Sequence, residues 1–106
     1  MILSQDIFKF LKKLANNNTR DWFQANKESY KIHQSNIQIF GEKVKTRLNT
    51  FDSISNFKLF RIYRDVRFSK DKTPYKKHFG LTWKRTPPEL RGGYYLHLSP
   101  GESFLA

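Results

Sequence analysis

The sequence predicts an α+β fold in which two N-terminal helices pack on an antiparallel β-meander. Over residues 4–50, apolar residues recur at spacings of three and four, the period of an amphipathic helix. Over residues 57–106 they alternate with polar residues, the period of a strand with one buried face. Helices followed by strands are typical of α+β domains. We therefore expect residues 1–106 to form a single domain or the N-terminal part of one.

Two helices are expected in the first half of the chain. Ser4 is a good N-cap for a helix over residues 5–16, which a run of asparagines ends. Thr19 is placed to cap a second, longer helix that runs to about Asn49, with a break near Asn26. The apolar face of the first helix is predicted to consist of Ile7, Phe8, Leu11, Leu14 and Ala15.

Three strands are expected in the second half, over residues 57–68, 78–83 and 93–99. Proline, glycine and short polar residues fill the two gaps between them, as is typical of turns. The apolar residues after Pro100 begin a new segment. The sheet, and with it the domain, is therefore expected to be incomplete.

Composition excludes several classes of protein. The chain has no cysteine, so a disulfide framework and a thiolate metal site are excluded. No stretch approaches 18 consecutive apolar residues, and the first residues lack the pattern of a signal peptide. We therefore expect a cytoplasmic protein with no membrane partner. The net charge of +11 favours nucleic acid, a nucleotide or another anion as partner, unless its lysines are merely solvated.

The positive charge is concentrated in residues 58–77. This segment has eight basic residues against two acids, which places six of the eleven net charges there. If residues 60–69 form one strand, Arg64 interrupts an otherwise apolar face. A straight strand suits an extended anion such as a nucleic-acid backbone, whereas a bulge near Arg64 and Asp65 gathers groups around one small anion. The opposite, polar face consists of Arg61, Tyr63, Asp65, Arg67 and Ser69.

The residues of this segment have expected roles in anion binding. Ser69 donates a hydroxyl hydrogen bond, while the ionised carboxylates of Asp65 and Asp71 hold arginines in place. The ring of Tyr75 either stacks on a base beside Lys76 or packs back on the core. The expected phosphate contacts are Arg61, Arg67, Lys72 and Lys76.

Templates for catalysis are mostly absent. His97 and Ser99 resemble one half of a two-histidine phosphoesterase site, but no hydroxyl follows His78 to complete the other half. His97 is therefore only a weak candidate for a catalytic acid or base, and His33 is expected at the surface of the long helix. No phosphate-binding glycine loop and no histidine pair with zinc spacing is present, so no metal or cofactor is expected.

Several motifs, taken together, resemble one known family. Residues 11–23 contain Leu11-x-x-Leu14, an asparagine pair and the sequence RDWF, and Asn26-Lys27 with Tyr30 follows in the next helix. Residues 61–76 are the most specific match, and residues 93–101 supply a tyrosine-rich strand. On these motifs the chain resembles the uncharacterised bacterial and fungal family called domain of unknown function 2461. The resemblance implies the N-terminal half of a cytoplasmic protein of mixed α/β fold, and it implies no established activity, substrate or cofactor.

Three functions remain open at this point. The first is an anion-binding module for a phosphorylated ligand or nucleic acid, since phosphate contacts position a ligand. The second is a metal-independent phosphoesterase or transferase in which His97 is the acid or base and a row of arginines stabilises developing negative charge. The third is an internal Arg–Asp network with only a structural role, in which case Arg64→Ala destabilises the fold. The arginine row of the second consists of Arg61, Arg64 and Arg67.

Overall fold

A computed structural model describes residues 3–86 and 92–105 of the chain. Three helices precede a four-stranded antiparallel sheet whose strands follow one another in chain order. The predicted α+β class with an antiparallel meander is confirmed. No helix in the described part of the chain is long and apolar enough to cross a membrane. The elements are α1 Gln5–Asn16, α2 Arg20–Ala25, α3 Lys27–Leu48, β1 Ile54–Leu59, β2 Phe79–Arg85, β3 Gly93–Leu98 and β4 Phe104–Leu105.

The helix boundaries lie where capping chemistry predicts them. The Ser4 hydroxyl accepts a hydrogen bond from the backbone N–H of Asp6 at 3.1 Å, and α1 ends at the asparagine run. The Thr19 hydroxyl accepts from the N–H of Trp22 at 3.2 Å and begins α2. The predicted break is at Asn26, whose side-chain amide donates to the carbonyl of Trp22 at 2.8 Å. That bond gives a carbonyl at the C-terminal end of α2 a hydrogen-bond partner, and α3 begins at the residue after Asn26.

The buried face of α1 is slightly different from the predicted one. Phe10 is buried at 5% exposure, Phe8 is only partly buried, and Ala15 is exposed. Phe10 completes the face because its ring lies 5.8 Å from that of Trp22 and 6.1 Å from that of Tyr30. The aromatic rings of the neighbouring helices therefore decide which residues of α1 are buried.

Helix α3 packs directly on the sheet at a glycine. The ring of Phe57 in β1 lies over Gly41, and the Trp83 indole Nε1 of β2 donates to the Gly41 carbonyl at 2.9 Å. Because glycine has no Cβ, helix and sheet come closer here than any other residue permits. The inner face of the sheet is thus fixed against α3, and the alternate residues of each strand form its outer face.

His33 is buried rather than exposed as predicted, with 9% of its surface accessible. Its ring lies 5.3 Å from that of Phe10, and its Nδ1 has no hydrogen-bond partner within the described residues. Burial lowers the pKa of His33, while the negative charge of Asp6 opposes that shift. The prediction was wrong because the aromatic side of α1 covers this position of α3.

A lowered His33 pKa makes the free energy of unfolding depend on pH. As pH falls below about 6.5, the unfolded chain takes up a proton that the folded chain resists, so stability decreases. We expect the free energy of unfolding, measured in urea, to fall more between pH 7.5 and pH 5 for the wild type than for His33→Leu. The lowered pKa of His78 acts in the same direction in both proteins, so the difference isolates His33. Equal pH dependence in the two proteins would contradict this account.

Strand β1 is shorter and earlier than predicted, and residues 60–69 do not form a strand. The chain leaves the sheet after Leu59 and returns at Phe79, so residues 60–78 form a long loop, here called the basic loop. Within it Ile62 is buried as an apolar strand face predicts, but Phe68 is 95% exposed. The apolar alternation ends at Arg64, whose guanidinium bonds to a later part of the same loop.

Candidate functional site

The basic loop is folded back on itself like a narrow hairpin. Tyr63 and Tyr75 form an isolated antiparallel bridge between its two limbs. On either side of this bridge, the Arg64 N–H donates to the Pro74 carbonyl at 2.9 Å, and the Lys76 N–H donates to the Ile62 carbonyl at 2.8 Å. The backbone of the loop is therefore ordered by its own hydrogen bonds, without belonging to the sheet.

The loop is also fastened to the junction between α1 and α2. The Asn18 side-chain amide donates to the Tyr75 carbonyl at 2.9 Å, and its oxygen accepts from the Tyr75 N–H at 3.0 Å. The Tyr75 ring is 2% exposed and is stacked on Phe23 at 4.2 Å between centroids. Tyr75 therefore takes the core-packing alternative, and its ring is not available to stack on a base. The sequence shows an asparagine run, but nothing in it indicates that Asn18 pairs with residue 75.

Arg64 joins the two limbs through its side chain. Its Nη1 donates to the Thr73 carbonyl at 2.9 Å and to the Thr73 hydroxyl at 2.8 Å, and lies 3.4 Å from a carboxylate oxygen of Asp71. The Thr73 hydroxyl in turn donates to Asp71 at 2.8 Å. The hydrogen bonds from Thr73, followed by the charge of Arg64, lower the pKa of Asp71. Arg64 and Asp71 are thus engaged within the loop.

A second arginine–carboxylate pair lies at the tip of the loop. Arg67 binds Asp65 through two parallel bonds, Nε to Oδ1 at 3.0 Å and Nη2 to Oδ2 at 2.9 Å. These bonds lower the pKa of Asp65 and raise that of Arg67. Nearby, the Lys72 ammonium donates to the Val66 carbonyl at 2.5 Å. Two of the expected phosphate contacts, Arg67 and Lys72, therefore already have partners inside the loop.

Four further cations of this region lack an ion-pair partner in the described part of the chain. Among the described residues, Lys58, Arg61, Lys70 and Lys76 form no ion pair. Burial, and then the positive charges of Arg61 and Lys58, lower the pKa of Lys76. Three cations are therefore close together where the loop meets the sheet, and none of them forms an ion pair within the described regions, although the charge of Arg61 helps to lower the pKa of Asp65.

A groove of about 790 Å³ lies between the basic loop and the start of α2. Its walls include Arg20 and Gln24 on the helical side, and Lys70, Lys72 and the Arg64–Asp71 pair on the loop side. The groove is open to solvent. Ser69 is outside its walls; the Ser69 backbone N–H closes a turn with the Val66 carbonyl at 3.2 Å. The predicted site residues are therefore divided between the groove, the loop tip and the end next to the sheet.

His97 lies on the outer face of the sheet, where the contacts of its ring are with other aromatic rings. Its ring is stacked on that of His78 at 4.2 Å and on that of Phe104 at 4.8 Å, and its Nδ1 is 3.4 Å from the Tyr95 hydroxyl. No contact in the described residues joins His97 to an arginine of the loop. The catalytic alternative required that contact, so this geometry does not favour it. No three metal-binding side chains in the described regions are grouped closely enough to hold a metal ion.

Fold and site together define a small α+β protein in which a basic loop, held in place by hydrogen bonds, connects the first two strands of the meander. The chain belongs to the family described as "Conserved hypothetical protein (DUF2461)", whose model matches residues 6–106. The family assignment made from the sequence motifs is thereby confirmed. No curated protein and no solved structure matches the chain.

Proposed function

We propose that the protein is an anion-binding module that binds phosphate groups, carried by a phosphorylated small molecule or by nucleic acid. The observation that carries the proposal is the division of charge in the basic loop. Both of its carboxylates are occupied, Asp65 by Arg67 and Asp71 by Thr73 and Arg64. Arg61, Lys70 and Lys76, together with Lys58, form no ion pair within the described residues.

The loop is suited to this role because its shape is held without the unpaired cations. The internal bonds of Arg64 and Arg67, together with the hydrogen bonds of Asn18 to the Tyr75 backbone, fix the backbone of the loop. Arg61, Lys70 and Lys76 therefore extend from an ordered backbone. An ordered site loses less conformational entropy on binding than a mobile one. A bound phosphate also removes the repulsion among Lys58, Arg61 and Lys76, and it favours the charged form of Lys76.

The test is a fluorescence-anisotropy titration of labelled single-stranded RNA and DNA over a series of salt concentrations, with nucleoside triphosphates as competitors. We expect Arg61→Gln/Lys76→Gln to weaken binding. For a single strand it should also reduce the log–log salt slope by about 1.4, because each lost phosphate contact contributes about 0.7. A triphosphate that displaces the RNA, with a shallow slope, would instead identify a small phosphorylated ligand.

The matched control is Lys12→Gln/Lys31→Gln, which removes the same charge from exposed positions of α1 and α3. It should leave affinity and slope nearly unchanged. If both double variants lose affinity equally, only the net charge of the chain matters and the proposed site is wrong. If the wild type binds neither polymer nor triphosphate, the proposed function itself is wrong.

A further inference from the structure

The outer face of the sheet carries a row of rings that the anion-binding role does not explain. In the strand register Tyr95 lies opposite Thr82, and His97 lies between Gly80 and Phe104. Phe60 follows the end of β1 on the same face, where its N–H donates to the Gly80 carbonyl at 2.9 Å. We call Phe60, Tyr95, His97 and Phe104 the outer ring row.

The rings of this row are neighbours from the end of β1 to β4. The centroid of Phe60 is 6.5 Å from that of Tyr95, which is 6.0 Å from Phe104. His97 and Phe104 are nearly parallel, with 11° between their planes, and His78 extends the stack at 4.2 Å from His97. Such an arrangement offers flat apolar surfaces held at fixed orientations.

These rings are accessible, although aromatic side chains usually contribute to a core. Phe104 is 52% exposed, and Phe60, Tyr95 and His97 are each partly exposed. Gly80 lies beneath them, where a Cβ would be 3.1 Å from the Tyr95 hydroxyl and 3.3 Å from the Phe60 ring. The absent side chain lets Phe60 and Tyr95 lie down on the sheet, so that the row is broad and shallow.

Two lysines border the row and connect it to the basic loop. The Lys58 ammonium is 5.1 Å from the centroid of Phe60, and the Lys76 ammonium is 5.8 Å from the same centroid on the loop side. Neither has a carboxylate partner within the described residues, and Arg61 is the next cation along the chain. The face therefore combines flat rings with positive charge that has not been neutralised.

We infer that the outer ring row is a base-stacking surface for single-stranded nucleic acid. This rests on the proposed function, because Lys58, Arg61 and Lys76 hold the phosphates while the rings hold the bases. The positive charge of this face favours a polyanion as its ligand. The exposed rings beside the cations favour a polyanion that has flat apolar groups next to its phosphates. Bases are available for this only in a single strand, since in a duplex they are stacked on each other. Four strands spaced by about 4.8 Å make the face roughly 14 Å wide, enough for a short run of nucleotides.

The test separates stacking from charge by using two probes, labelled single-stranded RNA and inorganic polyphosphate. We expect Tyr95→Leu/Phe104→Leu to weaken RNA binding roughly 5- to 150-fold per contributing ring, because base–aromatic stacking has that magnitude. Its polyphosphate affinity should stay within about twofold of the wild type, because the cations are unchanged. Tyr95→Phe, which keeps the ring and removes only the hydroxyl, should retain RNA affinity. The matched control is Phe51→Leu, which removes an aromatic ring that is 74% exposed in the turn after α3.

Each outcome decides between the two proposals. If the ring variant loses RNA affinity but not polyphosphate affinity, the stacking surface is supported. If it binds RNA as tightly as the wild type while Arg61→Gln/Lys76→Gln does not, the protein binds phosphate but the stacking surface is wrong. If the wild type binds neither probe, both are wrong. If sedimentation shows that the wild type self-associates and the ring variant does not, and RNA affinity is unaffected, a second copy occupies this face and the inference is overturned.

Discussion

Replacing Gly41 with alanine should destabilise the protein, although alanine is the better helix former. In an exposed helix the change stabilises by up to about 1 kcal/mol. Here the new Cβ would lie 1.9 Å from Cζ of Phe57 and 2.3 Å from its Cε1. The Phe57 ring cannot move aside freely, because it is buried and lies 5.3 Å from the Trp83 ring, which in turn donates to the Gly41 carbonyl. We expect a net loss of about 1–3 kcal/mol, the usual cost of overpacking a core.

Thermal unfolding checks this prediction, since each kcal/mol shifts Tm by about 4–8 °C in a domain of this size. Ser35→Ala is the matched control, because Ser35 is an exposed residue of the same helix and should gain a few tenths of a kcal/mol at most. Phe57→Leu removes the ring that obstructs the new Cβ, so its cost should be smaller in the Gly41→Ala background than alone. A Gly41→Ala protein that melts at or above the wild-type temperature would show that α3 and β1 are not in this close contact.

The parts of the fold that the sequence predicts correctly depend on local chemistry. The caps at Ser4 and Thr19 and the break at Asn26 are decided by hydrogen bonds within a few residues. The wrong predictions are those that depend on distant partners. His33 is buried because rings from another helix cover it, and Phe10 replaces Ala15 in the core for the same reason.

The candidate site shows the same division. The concentration of charge in residues 58–77 is visible in the sequence, as are acids placed to hold arginines. The sequence does not reveal which arginine each acid holds, because this depends on the loop folding back at the Tyr63–Tyr75 bridge. Nor does it indicate that His78 meets His97, because they are 19 positions apart and join only through the register of β2 and β3.

Replacing Arg64 with alanine should unfasten the basic loop without unfolding the helices. The purely structural alternative requires Arg64 to be a buried charge whose loss is severe, but about a quarter of its side chain is exposed and its partner Asp71 is 58% exposed. The ion pair itself therefore contributes little, and most of the effect comes from the two short bonds to Thr73. Hydrogen bonds from a charged donor contribute about 1.5–3 kcal/mol, so a loss of about 2 kcal/mol in the free energy of unfolding is expected.

Amide hydrogen exchange distinguishes this structural role from direct contact with an anion. In Arg64→Ala the backbone N–H groups at positions 64 and 76, which bridge the two limbs, should lose more protection than the amides of α3, because the loop opens locally. Arg61→Ala removes the same charge from an exposed side chain that makes no hydrogen bond in the described structure, and its loop amides should stay protected. If Arg64→Ala keeps wild-type exchange and Tm yet loses affinity for RNA or triphosphate, Arg64 contacts the ligand itself. The pairing of Arg64 with Thr73 would then be only the arrangement of the unliganded loop.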